Sequence, residues 1–411
     1  MAKLTQAIQN KLQIDVKYFL KNGTWSSLVQ FTQMVSGIVI AMVLTRVLTQ
    51  ELYGYYGFLF SIFSLLGLLS ITEMARSVFR SSAKGEAGNL AEIFWFRFKW
   101  SLLGTAIMIG LGVWYFHQAN DILGWGFLVL SLFFPFYFAP GMWKSFLEGE
   151  KNFKTSFYYY LVVSLFKTVA TILAAYFYRD YVVAIIFFSL ASFCLVNIYF
   201  YLKVLKKAKK HKVSKETIDY GFYLTKMSFL ANVANYFDRM LLGFFMAPSI
   251  FAVYSIALVP SETFGGFLKA LLNTTIPKFI DAGYERSIKK MFKTLKWILP
   301  LLVVGIFIAI VCTPYAILFV FTPKYEQSIL WAQIMLLSTF FMFLEGLFYN
   351  LNMAYAKRKV ILKITMIFPL IRMGCIAGGF MMNGVMGIIW AHMVYRAINT
   401  SLYIYFLKTD K

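Results

Sequence analysis

The sequence predicts an all-α polytopic membrane protein with about 12 transmembrane helices. Hydrophobic residue types make up 60% of its 411 residues and charged types only 14%, whereas soluble domains carry roughly 45–50% and about 25%. The apolar residues also fall into successive runs, each close to the roughly 20 residues that a membrane helix needs. Because these runs leave only short connections, the composition excludes an ordinary cytosolic enzyme and a disordered chain.

The predicted helices follow the apolar runs in order. Residues 1–21 contain an apolar residue every three to four positions between lysines, which predicts an amphipathic helix on the membrane surface, with a frayed tail as the alternative. The twelve spans are predicted near 24–46, 55–72, 100–116, 125–146, 157–178, 182–203, 220–246, 251–275, 297–321, 329–353, 364–383 and 385–407.

Basic residues alternate between successive loops, and this alternation predicts the orientation. The chain has 40 Lys+Arg against 18 Asp+Glu, a net charge of +22. Thirty of the basic residues lie in the termini and in every second loop, including residues 72–99 and 203–219, while the opposite loops hold only Arg46, Arg179 and Lys324. Since cytoplasmic loops are enriched in Lys and Arg, both termini are predicted to be cytoplasmic.

The most basic loop divides the chain into two halves of six predicted helices. Because six is even, both halves enter the membrane in the same direction, which predicts a parallel repeat. Tyr56 and Tyr254 occupy matching positions 198 residues apart. The predicted segments are an interfacial helix over 1–21, an N-terminal six-helix lobe over 22–205, a basic cytoplasmic linker over 206–219 and a C-terminal six-helix lobe over 220–411.

Four motifs resemble those of bacterial polysaccharide flippases. Residues 44–56 (LTRVLTQELYGYY) resemble the first hairpin of that family, which usually reads Arg, then Leu-Gly-Pro-Glu, then Tyr-Gly; Thr49-Gln50 replaces the Gly-Pro. In the second half, Asn235, Asp238-Arg239 and Leu242-Gly243 resemble the family's seventh span, residues 251–257 its Gly-x-Tyr-Ser-x-Ala segment, and residues 321–325 its short outer loop after the ninth span.

The order and spacing of these motifs are similar to the multidrug/oligosaccharidyl-lipid/polysaccharide exporter (MOP) superfamily, and most to its O-antigen (Wzx-type) flippases. The resemblance implies two six-helix lobes, related by a parallel pseudo-twofold, in a V around a central cavity that works by alternating access. It implies a multi-pass protein of the bacterial inner membrane that moves polyprenyl-pyrophosphate-linked oligosaccharide repeat units outward for O-antigen, lipopolysaccharide or capsule. It implies no enzyme activity, cofactor or nucleic acid. The implied partners are a coupling H⁺ or Na⁺, membrane lipids, a polysaccharide polymerase and chain-length proteins.

Basic residues inside the spans are the first candidates for the substrate site. Lys167, Arg372 and Arg396 are predicted near mid-bilayer, where a charge costs about 2.5–3.5 kcal/mol on insertion scales. A cationic cavity favours an anion, and guanidinium groups bind phosphate through paired hydrogen bonds. We therefore predict that these three bind the substrate, with Arg46 and Arg239 at the outer mouth. The alternative is a buried ion pair with Glu262 or Glu345.

Polar residues on two spans are the second group of candidates. Span 1 carries a stripe at helical spacing and span 7 carries two asparagines, which predicts surfaces for sugar binding. Hydrogen bonding between helices is the equally weighted alternative. The residues are Asn22, Ser26, Gln30 and Gln33 in span 1, and Asn232 and Asn235 in span 7.

Acidic residues at depth are the candidates for ion coupling. Glu262 is predicted closest to mid-span, Glu345 lies nearer the cytoplasm, and Asp238 is adjacent to Arg239. Each carboxylate could carry a coupling proton or cation. The three cysteines and three histidines show no ligand spacing, so no metal site is predicted.

Three other functions compete with an oligosaccharide flippase. A multidrug/cation antiporter would favour acidic residues in its cavity, against the basic excess found here. A lipid II flippase is closer in chemistry, but that branch usually has fourteen spans. A membrane polysaccharide polymerase typically carries a large external loop, and the longest predicted external segment here has about ten residues.

Overall fold

The computed structural model describes residues 16–214, 216–273, 284–355 and 358–409. Inside a bilayer the backbone must satisfy its own hydrogen bonds, so the apolar runs form helices. The amphipathic helix was predicted over residues 1–21. Its first 15 residues lie outside the described part of the chain, and from Val16 onward they belong to the first described helix.

The described helices are numbered in chain order. They are α1 (Val16–Val47), α2 (Gln50–Leu66), α3 (Met74–Ala83), α4 (Leu90–His117), α5 (Asp121–Phe138), α6 (Met142–Gly149), α7 (Phe153–Phe177), α8 (Val182–Ala208), α9 (Glu216–Phe245), α10 (Pro248–Asn273), α11 (Tyr284–Phe321), α12 (Ser328–Tyr355) and α13 (Arg358–Thr409).

Ten helical stretches of the described chain are long and apolar enough to cross a membrane. One of them, Lys363–Leu407, contains a break at Asn383 and Gly384, so α13 is a hairpin of two helical arms and covers two predicted spans. Gly384 has a φ of 52°, which glycine adopts without a steric penalty. The remaining predicted span corresponds to α9. Its polar and charged residues make it less apolar than the ten membrane-spanning stretches, so it is not one of them. The predicted all-α polytopic membrane fold is confirmed.

Helix boundaries repeat between the two halves of the sequence. Helix α1 ends at Val47 and α9 at Phe245, while α2 begins at Gln50 and α10 at Pro248. Both pairs are 198 residues apart, the same offset that relates Tyr56 to Tyr254. The first helical hairpin of each half is therefore built alike.

Contacts between Cα atoms divide the chain into two compact units. Unit 1 comprises Met1–Val47 and Leu66–Met227, and unit 2 comprises Leu48–Leu65 and Ser228–Lys411. This division differs from the predicted lobes, because α2 groups with unit 2 and α9 is shared. The cause is the packing of Phe58, whose ring meets those of Phe244 and Phe251 at 5.3 and 6.0 Å. Gly54 also lies against the Pro248 carbonyl, where a Cβ has no room.

Unit 1 contains a buried arginine that the sequence analysis placed in a cytoplasmic loop. Arg97 lies inside α4 and is 2% exposed. Its guanidinium group donates to the carbonyl oxygens of Ser70 and Phe138 at 2.8 and 2.6 Å. These carbonyls lie at two breaks, the 3₁₀ turns Gly67–Ser70 and Ala139–Gly141. Arg97 thus satisfies backbone acceptors that the broken helices leave without intrahelical donors.

The basic linker before α9 is docked against unit 1. Val213 forms an isolated antiparallel bridge with Ala87, and the Gly88 amide donates to the Lys212 carbonyl at 2.8 Å. His211 lies 3.1 Å from Glu150. These contacts hold the linker on the segment that follows α3 and on the end of α6.

Unit 2 is built around α12. Helices α10 and α11 and the α13 hairpin all pack against it, and their aliphatic and aromatic side chains share one buried cluster that includes Leu351, Phe368 and Tyr403. This packing places polar side chains of α9, α10, α12 and both arms of α13 near one another.

Candidate functional site

A group of polar and charged side chains lies inside unit 2, and we call it the C-terminal polar cluster. Its members come from four helices that are far apart in the sequence. They are Asn235, Asp238 and Arg239 of α9, Tyr254 and Glu262 of α10, Ser338 and Glu345 of α12, and Arg372, His392, Tyr395, Arg396 and Asn399 of α13.

Asp238 is the most buried acidic residue of the cluster, and two side chains contact its carboxylate. The Tyr254 hydroxyl donates to its Oδ2 at 2.5 Å, and His392 Nε2 lies 3.4 Å from the same oxygen. Tyr254 and His392 are in turn 3.3 Å apart. All three residues are buried. A buried carboxylate needs such partners because an uncompensated charge is costly away from water.

Arg372 and Arg396 lie on opposite arms of the α13 hairpin, each 12 residues from Gly384. At a rise of 1.5 Å per residue, that is about 18 Å along each helix, close to half the roughly 30 Å thickness of a bilayer core. Their guanidinium carbons lie 5.2 and 5.8 Å from the centre of the Tyr395 ring. The hairpin therefore brings two cations to one aromatic ring at equal depth.

Both of these arginines donate to neutral oxygens. Arg372 donates to the side-chain oxygen of Asn235. Arg396 donates to the Tyr395 hydroxyl and the Ser338 carbonyl, both at 3.1 Å. Within the described chain, neither arginine has a carboxylate oxygen within 4.0 Å. Among the residues that it describes, the structure therefore does not show these two arginines in the buried ion pair that was the alternative to a substrate role, and the substrate role stays a prediction.

The two predicted coupling glutamates have different surroundings. Glu262 forms an ion pair with Arg239, in which the side chains are 59% and 23% exposed. Glu345 accepts a hydrogen bond from the Asn399 amide at 2.8 Å and interacts electrostatically with Arg396 and Arg372. Glu262 is thus the accessible acidic residue and Glu345 the enclosed one.

The other predicted substrate residues lie in unit 1, except for Asn232, which is half-buried on α9. Lys167 is on α7, with its ammonium group 5.7 Å from the centre of the Phe193 ring. Arg46, Gln30 and Gln33 are exposed on α1. The side chain of Asn22 lies outside the described side chains.

A hydroxyl pair next to Lys167 joins α1 to α7. Ser36 and Thr168 are 2.5 Å apart at their oxygens. This contact is an instance of the hydrogen bonding between helices that was the alternative for the polar stripe on α1.

His392 and Tyr395 are site residues that the sequence analysis missed. With Arg396 and Asn399 they form one stripe, because positions 392, 395, 396 and 399 share a helix face. That spacing was the available signal. A histidine and a tyrosine in an apolar run carry little information until Asp238 and Arg372, from distant helices, are placed beside them.

The cluster is suited to binding an anion and to holding protons. Its arginines offer several N–H donors in planar arrays, which match phosphate oxygens, and its carboxylates and its histidine are side chains of a type that binds protons. The described residues contain no group of three or more metal-ligating side chains.

Comparisons with known proteins give a family and a fold. The model of the family described as "Polysaccharide biosynthesis protein" matches residues 43–330. No curated protein sequence matches the chain significantly. Among solved structures, an inward-facing multidrug resistance MATE family transporter of the MOP superfamily is similar with a TM-score of 0.70 and 11% identity, over 92% of this chain and 94% of that one.

Two further structures extend the comparison. The lipid II flippase MurJ, in an inward closed conformation, has a TM-score of 0.68 and 15% identity, over 94% of this chain and 87% of that one. A MOP superfamily transporter from Pyrococcus furiosus, described as having a binding pocket of reverse polarity, has a TM-score of 0.60 and 12% identity, over 95% and 96% of the two chains. At these identities the likeness shows the fold, which is that of MOP superfamily transporters. Since the family match covers well over half of the sequence, the chain belongs to the polysaccharide biosynthesis protein family.

Proposed function

We propose that the protein is a flippase that moves polyprenyl-pyrophosphate-linked oligosaccharide repeat units from the cytoplasmic to the outer face of the bacterial inner membrane. It works by alternating access, is coupled to an ion and catalyses no chemical step. The observation that carries the proposal is the pair Arg372 and Arg396, which flank Tyr395 at equal depth and donate to neutral oxygens. Two guanidinium groups so placed match the two phosphates of a pyrophosphate.

The family supports a glycan as the cargo, and the charge supports a lipid-linked one. Arg372 and Arg396, two arginines at bilayer depth in one unit, are costly unless they meet an anion or an acidic residue. A multidrug/cation antiporter would gain nothing from them. A polysaccharide polymerase fits poorly, because the connections on the predicted outer side have at most six residues, in 322–327.

The predicted orientation is part of this proposal. Both termini and the docked basic linker are placed in the cytoplasm because the basic residues concentrate there. Reporter fusions at positions 118, 248 and 324 should be external, and fusions at 152, 210 and 288 internal. One reversed position contradicts the direction of transport proposed here.

Deleting the gene tests the function directly. A flippase deletion should leave a lipid-linked oligosaccharide on the cytoplasmic face of the membrane and remove the surface glycan, and a plasmid copy should restore both. Accumulation of lipid II instead, with loss of the cell wall, would point to a lipid II flippase, a fold relative of this chain. Unchanged lipid-linked glycans would contradict both.

A further inference from the structure

The charged side chains of the C-terminal polar cluster balance when the three carboxylates are ionised. Arg239, Arg372 and Arg396 supply three positive charges, and Asp238, Glu262 and Glu345 supply three negative ones. Lys269 adds a further positive charge that acts on Glu345. Protonation of His392 raises the local charge by one more unit. An anionic ligand therefore binds better when His392 is protonated.

His392 is placed to hold a proton in that cluster. Its Nε2 faces the Asp238 carboxylate at 3.4 Å and the Tyr254 hydroxyl at 3.3 Å. Its ring meets the Tyr395 ring edge-on, with centres 5.6 Å apart. Asp238 Oδ1 is buried and has no hydrogen-bond partner among the described residues. This oxygen is therefore able to accept a proton. A proton bound here is shared among three buried groups.

Charged and titratable groups surround this histidine from every helix that packs on it. Arg372 and Arg396 carry the same charge as a protonated His392, whereas Asp238 carries the opposite charge. An anion seated on the two arginines offsets part of the repulsion between them and a protonated His392. The groups are Asp238 and Arg239 on α9, Tyr254 and Glu262 on α10, Glu345 on α12, Arg372 on the first arm of α13, and Tyr395 and Arg396 on the second arm.

We propose that His392, Asp238 and Tyr254 form a proton-binding site, and that unit 2 takes up one proton when it binds a pyrophosphate headgroup. The inference rests on the proposed function, since it requires that the cluster bind the substrate's headgroup. Linkage is reciprocal: if the anion strengthens proton binding, the proton strengthens anion binding by the same factor. Proton binding and pyrophosphate binding to unit 2 therefore favour each other.

Calorimetry on the purified full-length protein tests the proton count. The probe is a short prenyl pyrophosphate joined to one N-acetylglucosamine, because each phosphate of this diester keeps a single acidic oxygen that stays ionised across neutral pH. Titrations in buffers of different ionisation enthalpy at one pH give the protons exchanged per ligand. Between the pH at which the free site loses its proton and the higher pH at which the occupied site does so, we expect about one proton taken up and a slope of about 1 in log Kd against pH.

Two variants and one matched control locate the proton. His392→Gln and Asp238→Asn should still bind the probe, with uptake close to zero and Kd nearly independent of pH. His117→Gln changes an exposed histidine of unit 1 and should behave as the wild type. If either cluster variant fails to insert, Tyr254→Phe, which removes one hydroxyl, should still move the pH at which Kd changes.

The outcomes separate the two proposals. Binding without proton exchange, binding with proton release, or uptake that persists in both His392→Gln and Asp238→Asn overturns the proton site and leaves the flippase proposal intact. A wild-type protein that does not bind the probe overturns the proposed substrate, and the proton site with it.

Discussion

Unit 1 and unit 2 each hold guanidinium groups inside the membrane, and their surroundings differ. Arg97 of unit 1 is enclosed and donates to backbone carbonyls at two helix breaks. Arg372 and Arg396 of unit 2 lie against a tyrosine ring and donate to neutral oxygens, with part of each side chain accessible. Arg396 also donates to a backbone carbonyl, that of Ser338, so the type of acceptor does not separate the two cases. Exposure does, because Arg97 is 2% exposed whereas Arg372 and Arg396 are partly accessible to a ligand.

The comparison also explains why unit 2 needs its acids. Helix breaks in unit 1 expose carbonyl oxygens, which solvate the Arg97 guanidinium through hydrogen bonds in place of water. In unit 2 the arginines instead lie near three carboxylates, those of Asp238, Glu262 and Glu345. A cluster balanced in this way is able to change its net charge when a proton or an anion binds.

The largest expected effect is the loss of protein stability when Arg97 is replaced. Arg97→Ala removes hydrogen bonds from a charged donor that are worth about 1.5–3 kcal/mol each, and it leaves two carbonyl groups at helix breaks unsatisfied. We expect a loss of at least about 3 kcal/mol in the free energy of unfolding and little protein in the membrane. Thermal unfolding in detergent and immunoblots of membranes measure both.

Arg76→Ala is the matched control, since that side chain is 74% exposed and pairs with Glu73 at the surface. Its effect should stay within about 1 kcal/mol. If Arg97→Ala is as stable as this control, the carbonyl contacts do not support the fold and the contrast between the units fails.

The second largest effect is on transport. Arg372→Ala and Arg396→Ala, made singly, should be stable and inserted but fail to export glycan. Loss of one charge-assisted contact of about 1.5–3 kcal/mol lowers affinity for a pyrophosphate ligand roughly tenfold to a hundredfold. Arg179→Ala, at an exposed arginine beside Asp180, serves as the control. Disappearance of both variants from the membrane, or normal export by both, contradicts the anion site.

Some features of the fold and of the candidate site were predicted from the sequence alone. The apolar runs predicted every span, because chain length and backbone hydrogen bonding leave a membrane segment few choices. Arg372 and Arg396 were identified because a charge at that depth is conspicuous. Glu262 was predicted to be near mid-span, but its pairing with Arg239 depends on how α9 and α10 face each other.

The residues that were missed depend on tertiary contacts. Arg97 was assigned to a loop because it lies near the end of an apolar run, and its acceptors are backbone atoms that residue types do not reveal. His392 and Tyr395 acquire meaning only beside Asp238 and Arg372. The grouping of α2 with unit 2 likewise follows from ring packing at Phe58, which no pattern in the sequence indicates.

A smaller effect is expected at Glu262, the accessible acidic residue. Glu262→Gln should impair transport and leave expression intact, because a half-exposed ion pair contributes about 0–1 kcal/mol to stability while the substitution removes the carboxylate predicted to bind the coupling ion. Transport into proteoliposomes at several pH values, beside the conservative variant Glu262→Asp, measures this. Transport that is unchanged at every pH removes Glu262 from the coupling mechanism.

The smallest effect concerns the polar residues of α1, where hydrogen bonding between helices and substrate binding make different predictions. Ser36→Ala removes the contact to Thr168 and should lower stability by about 0.6 kcal/mol, the average for such bonds in membranes, with transport retained. Gln30→Ala and Gln33→Ala change exposed side chains on the same helix, so their stability should not move. If these glutamines bind sugar, export falls in both variants, since each loses a polar contact to the cargo. If export is normal in both while Ser36→Ala is destabilised, the two glutamines do not bind the cargo, the hydroxyl contact of α1 acts in packing, and the substrate contacts of this protein lie with the arginines of unit 2.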